Sequence, residues 1–154
     1  MATRIETDRL EAWRLFLRGH STITHRLDAD LIAAHGLTLH DYEVLLHLAA
    51  APDGTLRPSD LTDRVLLTRS GVTRLLAGLE EAGLVRRESC ASDRRVVFAV
   101  LTDEGRAKLR EARPTHLRGV GELFVERFGD EELDTLAGLL AHLPGCEADS
   151  PPCD

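Results

Sequence analysis

The chain has 154 residues, 43% of them hydrophobic and 29% charged, which is enough for one ordinary domain with a core and excludes an intrinsically disordered chain. Its formal net charge of −7 excludes a generic polyanion binder, and three cysteines with no CxxC exclude a disulfide scaffold. The average conceals a pattern: from Arg64 to Arg95 seven basic residues face four acidic ones, a local +3 that leaves −10 for the rest. A basic stretch on an acidic body suits a protein that meets an anion with one surface only.

The chain opens on "MATRIETDRL", too polar for a signal peptide, and no apolar run approaches membrane-spanning length. The expectation is a reduced, cytoplasmic protein with no membrane partner. From Thr7 to about His35 the spacing predicts a long helix, with Leu10, Trp13, Leu17, Leu27 and Leu31 on one stripe and Phe16 and Ile23 on a second apolar line. Two polar residues, His20 and Thr24, interrupt the stripe. Gly36 is placed as a C-cap. Thr38 and Asp41 make a capping box for a helix over "DYEVLLHLAAA", which "PDG" ends at residues 52–54.

Pro58 stands where a first helical residue belongs, ahead of "SDLTDRV". Thr68 caps the next helix, "RSGVTRLLAGLEEAG", with Gly83 at its C-terminal end. "LVRRES" and "RRVVFAVL" read as a β-hairpin across "CASD". Thr102 caps a second long helix that Pro114 should kink and Gly129 should end. A last amphipathic helix runs over "DEELDTLAGLLAHL" to Pro144, and the acidic, Pro-rich tail 144–154 is expected to be mobile.

Two short helices joined by a tight turn and followed by a hairpin make a winged helix-turn-helix. The expected fold class is mainly α with a small β-hairpin wing, carried on N- and C-terminal helices. In the second short helix Val72, Leu75, Leu76 and Leu79 form the buried stripe. Arg69, Ser70, Thr73 and Arg74 project from its first two turns on the other side. Those side chains hydrogen-bond base edges and phosphates, and the N-terminal end is where such a helix meets the major groove. Gly71 keeps that entry narrow. Arg86, Asp93, Arg94 and Arg95 cluster around the hairpin, where two adjacent arginines at a turn make sense if something negative sits opposite them. The terminal helices carry more apolar surface than the central lobe can cover, so they should pair between two copies of the chain.

"LTLHDYEVLLHLA", "LTRSGVTRLLAGLEEAGLVRR" and "SDRRVVFAVLTDEG" together resemble the DNA-binding lobe of the MarR (multiple antibiotic resistance regulator) family of bacterial transcription factors. The last holds the Asp–Arg pair, strand and Leu101-Thr102-x-x-Gly105 of the family's wing; Ala99 stands where Val or Leu is usual. The similarity extends over roughly residues 7–143, a single domain with dimerisation helices at 7–35 and 103–143 around a winged helix-turn-helix at 37–102. It implies a homodimer on double-stranded DNA at a pseudo-palindromic operator, a repressor responsive to a ligand, with Arg95 inserted in the minor groove and Asp93 orienting an arginine side chain. It also implies a pocket between the dimer body and the DNA-binding lobe for a small aromatic or phenolic acid, to which Trp13, His20 and Tyr42 would contribute a flat wall, a donor and a partner from the next helix.

Other readings are a winged helix that binds protein rather than DNA, and a metal-responsive regulator using His20 or His116. No GxSxG, HExxH, P-loop or dinucleotide fingerprint is present, so neither an enzyme nor a cofactor is expected. Cys90, Cys146 and Cys153 lie outside the N-terminal helix, where the family's redox sensors carry their cysteine, so a thiol switch is not expected.

Overall fold

The computed structural model describes residues 10–65 and 67–146. Helix α1 spans Leu10–His35, α2 Leu39–Ala50, α3 Pro58–Arg64, α4 Arg69–Glu81, α5 Asp103–Leu123 and α6 Asp130–Leu140. Strands β1 (Thr55–Leu56), β2 (Val85–Ser89) and β3 (Val97–Leu101) form an antiparallel sheet in the order β1-β3-β2. The expected mainly helical fold with a β wing is therefore the observed one. The expected start of the first helix at Thr7, the tail beyond residue 146 and Cys153 lie outside the described residues.

The elements begin and end where side chains can satisfy the backbone. Thr38 accepts from the Asp41 N–H at 3.1 Å, while Asp41 accepts in return from the Thr38 N–H at 2.8 Å, closing the box that starts α2. Gly36 and Gly83 take positive φ of 66° and 74° after α1 and α4, a conformation that costs glycine nothing. Helix α2 lies at the centre: Val44, Leu45 and Leu48 are fully buried among Leu31, Leu61, Leu76 and Val85. Each such side chain stabilises by roughly 1.5–3 kcal/mol through burial. Asp28 accepts from the Leu39 N–H at 2.8 Å, and His35 Nε2 meets Thr115 Oγ1 at 2.8 Å, fixing α1 to α2 and α5.

Three local expectations differ from the structure. Strand β1, a two-residue strand directly after "PDG", pairs Thr55 with Val100 and Leu56 with Ala99 and makes the sheet three-stranded. Strand β3 begins at Val97, not Arg94, because residues 94–95 form a turn closed by the Val96 N–H donating to Asp93 O at 3.0 Å. Helix α5 runs through Pro114 as one element and stops at Leu123. A short 3₁₀ turn, Val125–Arg127, follows, and Arg127 Nε caps the freed carbonyl of Glu122 at 3.0 Å.

Two half-buried histidines brace the interior. His116 stacks on buried Tyr42 with ring centroids 4.5 Å apart, and the Nδ1 atoms of His116 and His47 are buried without a hydrogen-bond partner among the described residues. Burial lowers both pKa values, and the Arg64 charge lowers that of His47 further. An unfolded histidine titrates near 6.5, so on acidification the unfolded chain takes up protons that the folded chain refuses. Stability is thus intact above about pH 7 and is lost as pH falls through the unfolded value toward the depressed folded ones. Melting temperature should decline from roughly pH 7.5 to 5.5, and His116→Phe should flatten that decline. An unchanged slope in thermal scans of the variant would remove His116 from the effect.

Candidate nucleic-acid interface

Helix α4 owes its orientation to both ends. Thr68 Oγ1 accepts from the Gly71 N–H at 3.1 Å at its start. Val72, Leu76 and Leu79 are buried beneath it and Leu75 is half-buried, which leaves Arg69, Ser70, Thr73 and Arg74 exposed on one face. A Cβ on Gly71 would stand 3.2 Å from Thr68 Oγ1. The small residue thus protects the cap, a closer constraint than the expected backbone approach. Ser70 Oγ lies 3.1 Å from Thr68 Oγ1, and the Thr73 hydroxyl donates to Arg69 O at 2.9 Å. Thr73 therefore retains only acceptor capacity for a base edge or water.

The end of α4 is clamped to the wing. Leu84 O accepts from the Thr102 N–H at 3.2 Å, and the Thr102 hydroxyl donates to Gly83 O at 2.7 Å. Gly105, in the first turn of α5, packs so tightly that a Cβ there would stand 2.0 Å from Leu84 O. The Leu101-Thr102-x-x-Gly105 signature is thus a latch joining α4, the wing and α5. Arg87 Nε adds an ion pair to Glu80 at 3.2 Å between β2 and α4.

At the wing's far end the Cys90 N–H donates to Val96 O at 2.8 Å, and the loop beyond carries Arg94 and Arg95 at the centre of the Asp93–Val96 turn. Asp93 Oδ1 accepts from the Arg95 backbone N–H at 3.0 Å. The carboxylate thus fixes the turn itself rather than an arginine side chain, which corrects the expectation for Asp93. Arg86 pairs with Glu88 two residues along β2, so its charge is already partly met. Arg69, Arg74, Arg94 and Arg95 form no ion pair with a described residue, and all four are exposed. The Cys90 thiol is pulled down in pKa, first by its hydrogen bond to Ser92 and last by the charge of Arg57. Arg57 lies over the Phe98 ring, 5.7 Å from its centroid.

An open cleft of about 450 Å³ separates α1 from α2 and Val65, lined by His20, Thr24, His25, Asp28, Leu39, His40, Glu43 and Val65. Of the three residues expected to form a pocket, only His20 lines it. Trp13 is 54% exposed and stacks on Phe16, which stacks in turn on His20, so it stands one aromatic ring removed. Tyr42 faces the core against His116 because its position on α2 falls on the buried side of the helix. Helical periodicity could have placed Tyr42 inside, since it is in step with Leu45 and Leu39. The cleft's other polar residues, His25, Asp28, His40 and Glu43, were not singled out in the sequence, because they are scattered over two helices. Asp28 and Glu43 are already engaged, with the Leu39 N–H and with His40 at 3.2 Å.

Much apolar surface is left uncovered elsewhere. Trp13, Leu15, Phe16 and Leu17 on α1, Leu117 on α5, and Val125, Phe128, Leu139 and Leu143 further on are all exposed, and α6 buries none of its residues. Among the described residues no helix is long and apolar enough to cross a membrane.

A family model described as the MarR family matches residues 35–96. The HTH-type transcriptional repressor YetL of Bacillus subtilis (strain 168) is 33% identical over 111 residues, which cover 72% of this chain and 66%, just under two thirds, of YetL. AbsC, a MarR family transcriptional regulator from Streptomyces coelicolor, is 38% identical with a TM-score of 0.82, over 90% of this chain and 93% of AbsC. Sco3205, a MarR family transcriptional regulator from the same organism solved in complex with DNA, is 32% identical with a TM-score of 0.86, over 98% of this chain and 97% of its own. These relatives are transcription regulators rather than enzymes, as the absence of catalytic motifs led us to expect.

Proposed function

The chain belongs to the MarR family of transcription regulators, and on that footing we propose that it is a homodimeric repressor of a pseudo-palindromic operator, released by a small aromatic or phenolic acid. One observation carries the DNA-binding part. On a chain of net charge −7, four arginines without an ion-pair partner among the described residues stand at the start of α4 and at the wing tip. Exposed cations held apart from carboxylates by a rigid scaffold are suited to phosphates and guanine edges. In this reading Arg69, Ser70, Thr73 and Arg74 enter the major groove, and Arg95, with Arg94 beside it, enters the adjacent minor groove, whose narrow form concentrates negative potential. Asp93 shapes the turn that presents Arg95, and Arg86 has a lesser part because Glu88 competes for it.

The uncovered apolar residues of α1, α5 and α6 support the dimer: exposed patches of this kind belong against a partner. Residues 7–35 and 103–143 would be the dimerisation helices and 37–102 the DNA-binding lobe. An isologous dimer presents two copies of α4, so half-sites should recur about one helical turn apart. YetL's name as a repressor favours the sign of regulation. The cleft beside His20 lies between α1 and the lobe, where a ligand can bind the DNA-competent and incompetent arrangements with different strength, the condition for any shift. Its free ring donor is His20, which suits a phenol or carboxylate on a planar ring, since His25 Nδ1 already donates to Ser21 O at 2.7 Å.

Gel shifts on the DNA upstream of the chain's own gene test the proposal. Two chains should bind per duplex, and a panel of aromatic acids should contain compounds that weaken the complex by about five- to 150-fold. His20→Ala should blunt that effect while leaving DNA affinity intact, whereas Trp13→Ala should leave the ligand response unchanged. A response equal in wild type and His20→Ala would move the ligand away from this cleft. A full-length chain that sediments as a monomer at micromolar concentration would contradict the dimer.

A further inference from the structure

We infer that Arg57 is a further DNA-contacting residue, a backbone-phosphate ligand held in place by Phe98 of the wing; the inference rests on the DNA-binding reading above. Strand β1 pairs Thr55 with Val100 and Leu56 with Ala99, so the next residue, Arg57, falls opposite Phe98 in the same register. The guanidinium carbon sits 5.7 Å from the Phe98 ring centroid, within the range of a cation–π contact. Arg57 is also the residue just before α3, with Pro58 at the helix's first turn. It therefore joins the wing to the first helix of the helix-turn-helix, the helix that crosses the DNA backbone in this motif.

The charge is available. Arg57 is exposed and forms no ion pair with a described residue. The carboxylate nearest in register, Glu88 across Phe98 on β2, is taken by Arg86. Phe98 lies two residues from Val96, whose carbonyl closes the base of the tip loop onto the Cys90 N–H, so the guanidinium over that ring stands near the base of the loop. A ring beneath a guanidinium leaves its N–H edge free for oxygen acceptors and limits the rotamers that binding must freeze out. The pairing of β1 with β3 carries Arg57 on the same sheet as the wing, so an arginine outside the tip loop is still positioned by the wing's register.

The experiment is a salt titration of DNA binding by the full-length chain, on operator and on unrelated duplex. Each phosphate contact contributes about 0.9 to the slope of log K against log salt. The proposed dimer brings two copies of Arg57 to each duplex, so Arg57→Gln should lower that slope by about 1.8 and weaken both duplexes alike, by about thirtyfold near 150 mM salt, because a phosphate contact carries no sequence information. Arg57→Lys should keep the slope. Phe98→Leu should keep it as well but lose part of the affinity, since the charge remains while its support is gone. A wild-type slope in Arg57→Gln overturns the inference, whatever its affinity, because a residue that only braces the wing changes affinity without releasing fewer counterions. If wild type and Arg95→Ala behave as a DNA-binding chain and its weakened variant while Arg57→Gln matches wild type, only this inference fails. If wild type shows no salt-dependent binding to any duplex, the DNA-binding reading fails with it.

Discussion

Gly105→Ala should destabilise the chain by about 3 kcal/mol and lower its melting temperature by roughly 6–12 °C. The added methyl would stand 2.0 Å from the Leu84 carbonyl oxygen and 2.8 Å from Leu101 Cδ1. A side-chain tip could turn aside, but the carbonyl belongs to the segment between Gly83 and Val85 and already accepts from the Thr102 N–H. Relief therefore requires α5 to move off the end of α4, opening the latch that Thr102 closes onto Gly83. Because β2 begins at Val85, the same movement shifts the wing relative to α4, and DNA affinity should fall along with stability. Gly78→Ala is the matched control: nothing lies within 4 Å of its Cβ position, and it sits mid-helix on an exposed face. That substitution should be neutral or stabilise by up to about 1 kcal/mol through helix propensity. Thermal scans of both variants decide the matter, and a Gly105→Ala melt at the wild-type temperature would contradict the packing described for the latch.

The helix starts were legible because each depends on a residue or two with unmistakable chemistry. Thr38 with Asp41, Pro58, Thr68 and Thr102 mark beginnings, and Gly36 and Gly83 mark ends; these are local bonds that need no knowledge of the fold. Strand β1 escaped because two residues cannot show a period of two, and its partner β3 lies more than forty residues away. The extent of β3 was overread because Arg94 and Arg95 precede a β-rich run, yet the Asp93 carboxylate and carbonyl draw them into a turn. The end of α5 was misplaced because Leu123, Phe124, Val125 and Phe128 continue an apolar pattern through a 3₁₀ turn, and the pairing of Phe124 with Phe128, edge to face at 5.5 Å, satisfies that pattern without helix.

The site was legible in its charges and less so in its geometry. Exposure of Arg69 and Arg74 follows from the burial of Val72 and Leu76 on the opposite face of α4, an argument that needs only helical spacing. Which carboxylate meets which arginine depends on strand register, so the pairing of Arg86 with Glu88 and the turn-forming role of Asp93 required coordinates. The pocket was the least legible part. Trp13 and Tyr42 stood out as rare residue types and His20 as a polar break in an apolar stripe, but neither signal says anything about direction. Tyr42 faces the core, and the cleft is lined instead by histidines and carboxylates from two helices.

The central claim, that the start of α4 and the wing tip together form the DNA-binding surface, is tested most directly by the affinity of an Arg69→Ala, Arg74→Ala, Arg95→Ala triple variant. Each arginine is exposed and forms no ion pair with a described residue, so its removal leaves no buried charge behind and should not disturb the fold. Each single change should cost on the order of 1–3 kcal/mol of binding, a loss of about five- to 150-fold, with Arg95→Ala acting through the minor groove and the other two through the major groove. The three stand on two separate elements and should combine. The measurement is fluorescence anisotropy of a labelled duplex from the chain's own upstream region, at a stated salt near 150 mM, with circular dichroism to confirm an unchanged fold. The account predicts that wild type binds and that the triple variant, folded and as stable as wild type, is weakened by at least about 150-fold, toward non-specific affinity. A folded triple variant that binds this duplex as tightly as wild type would contradict it.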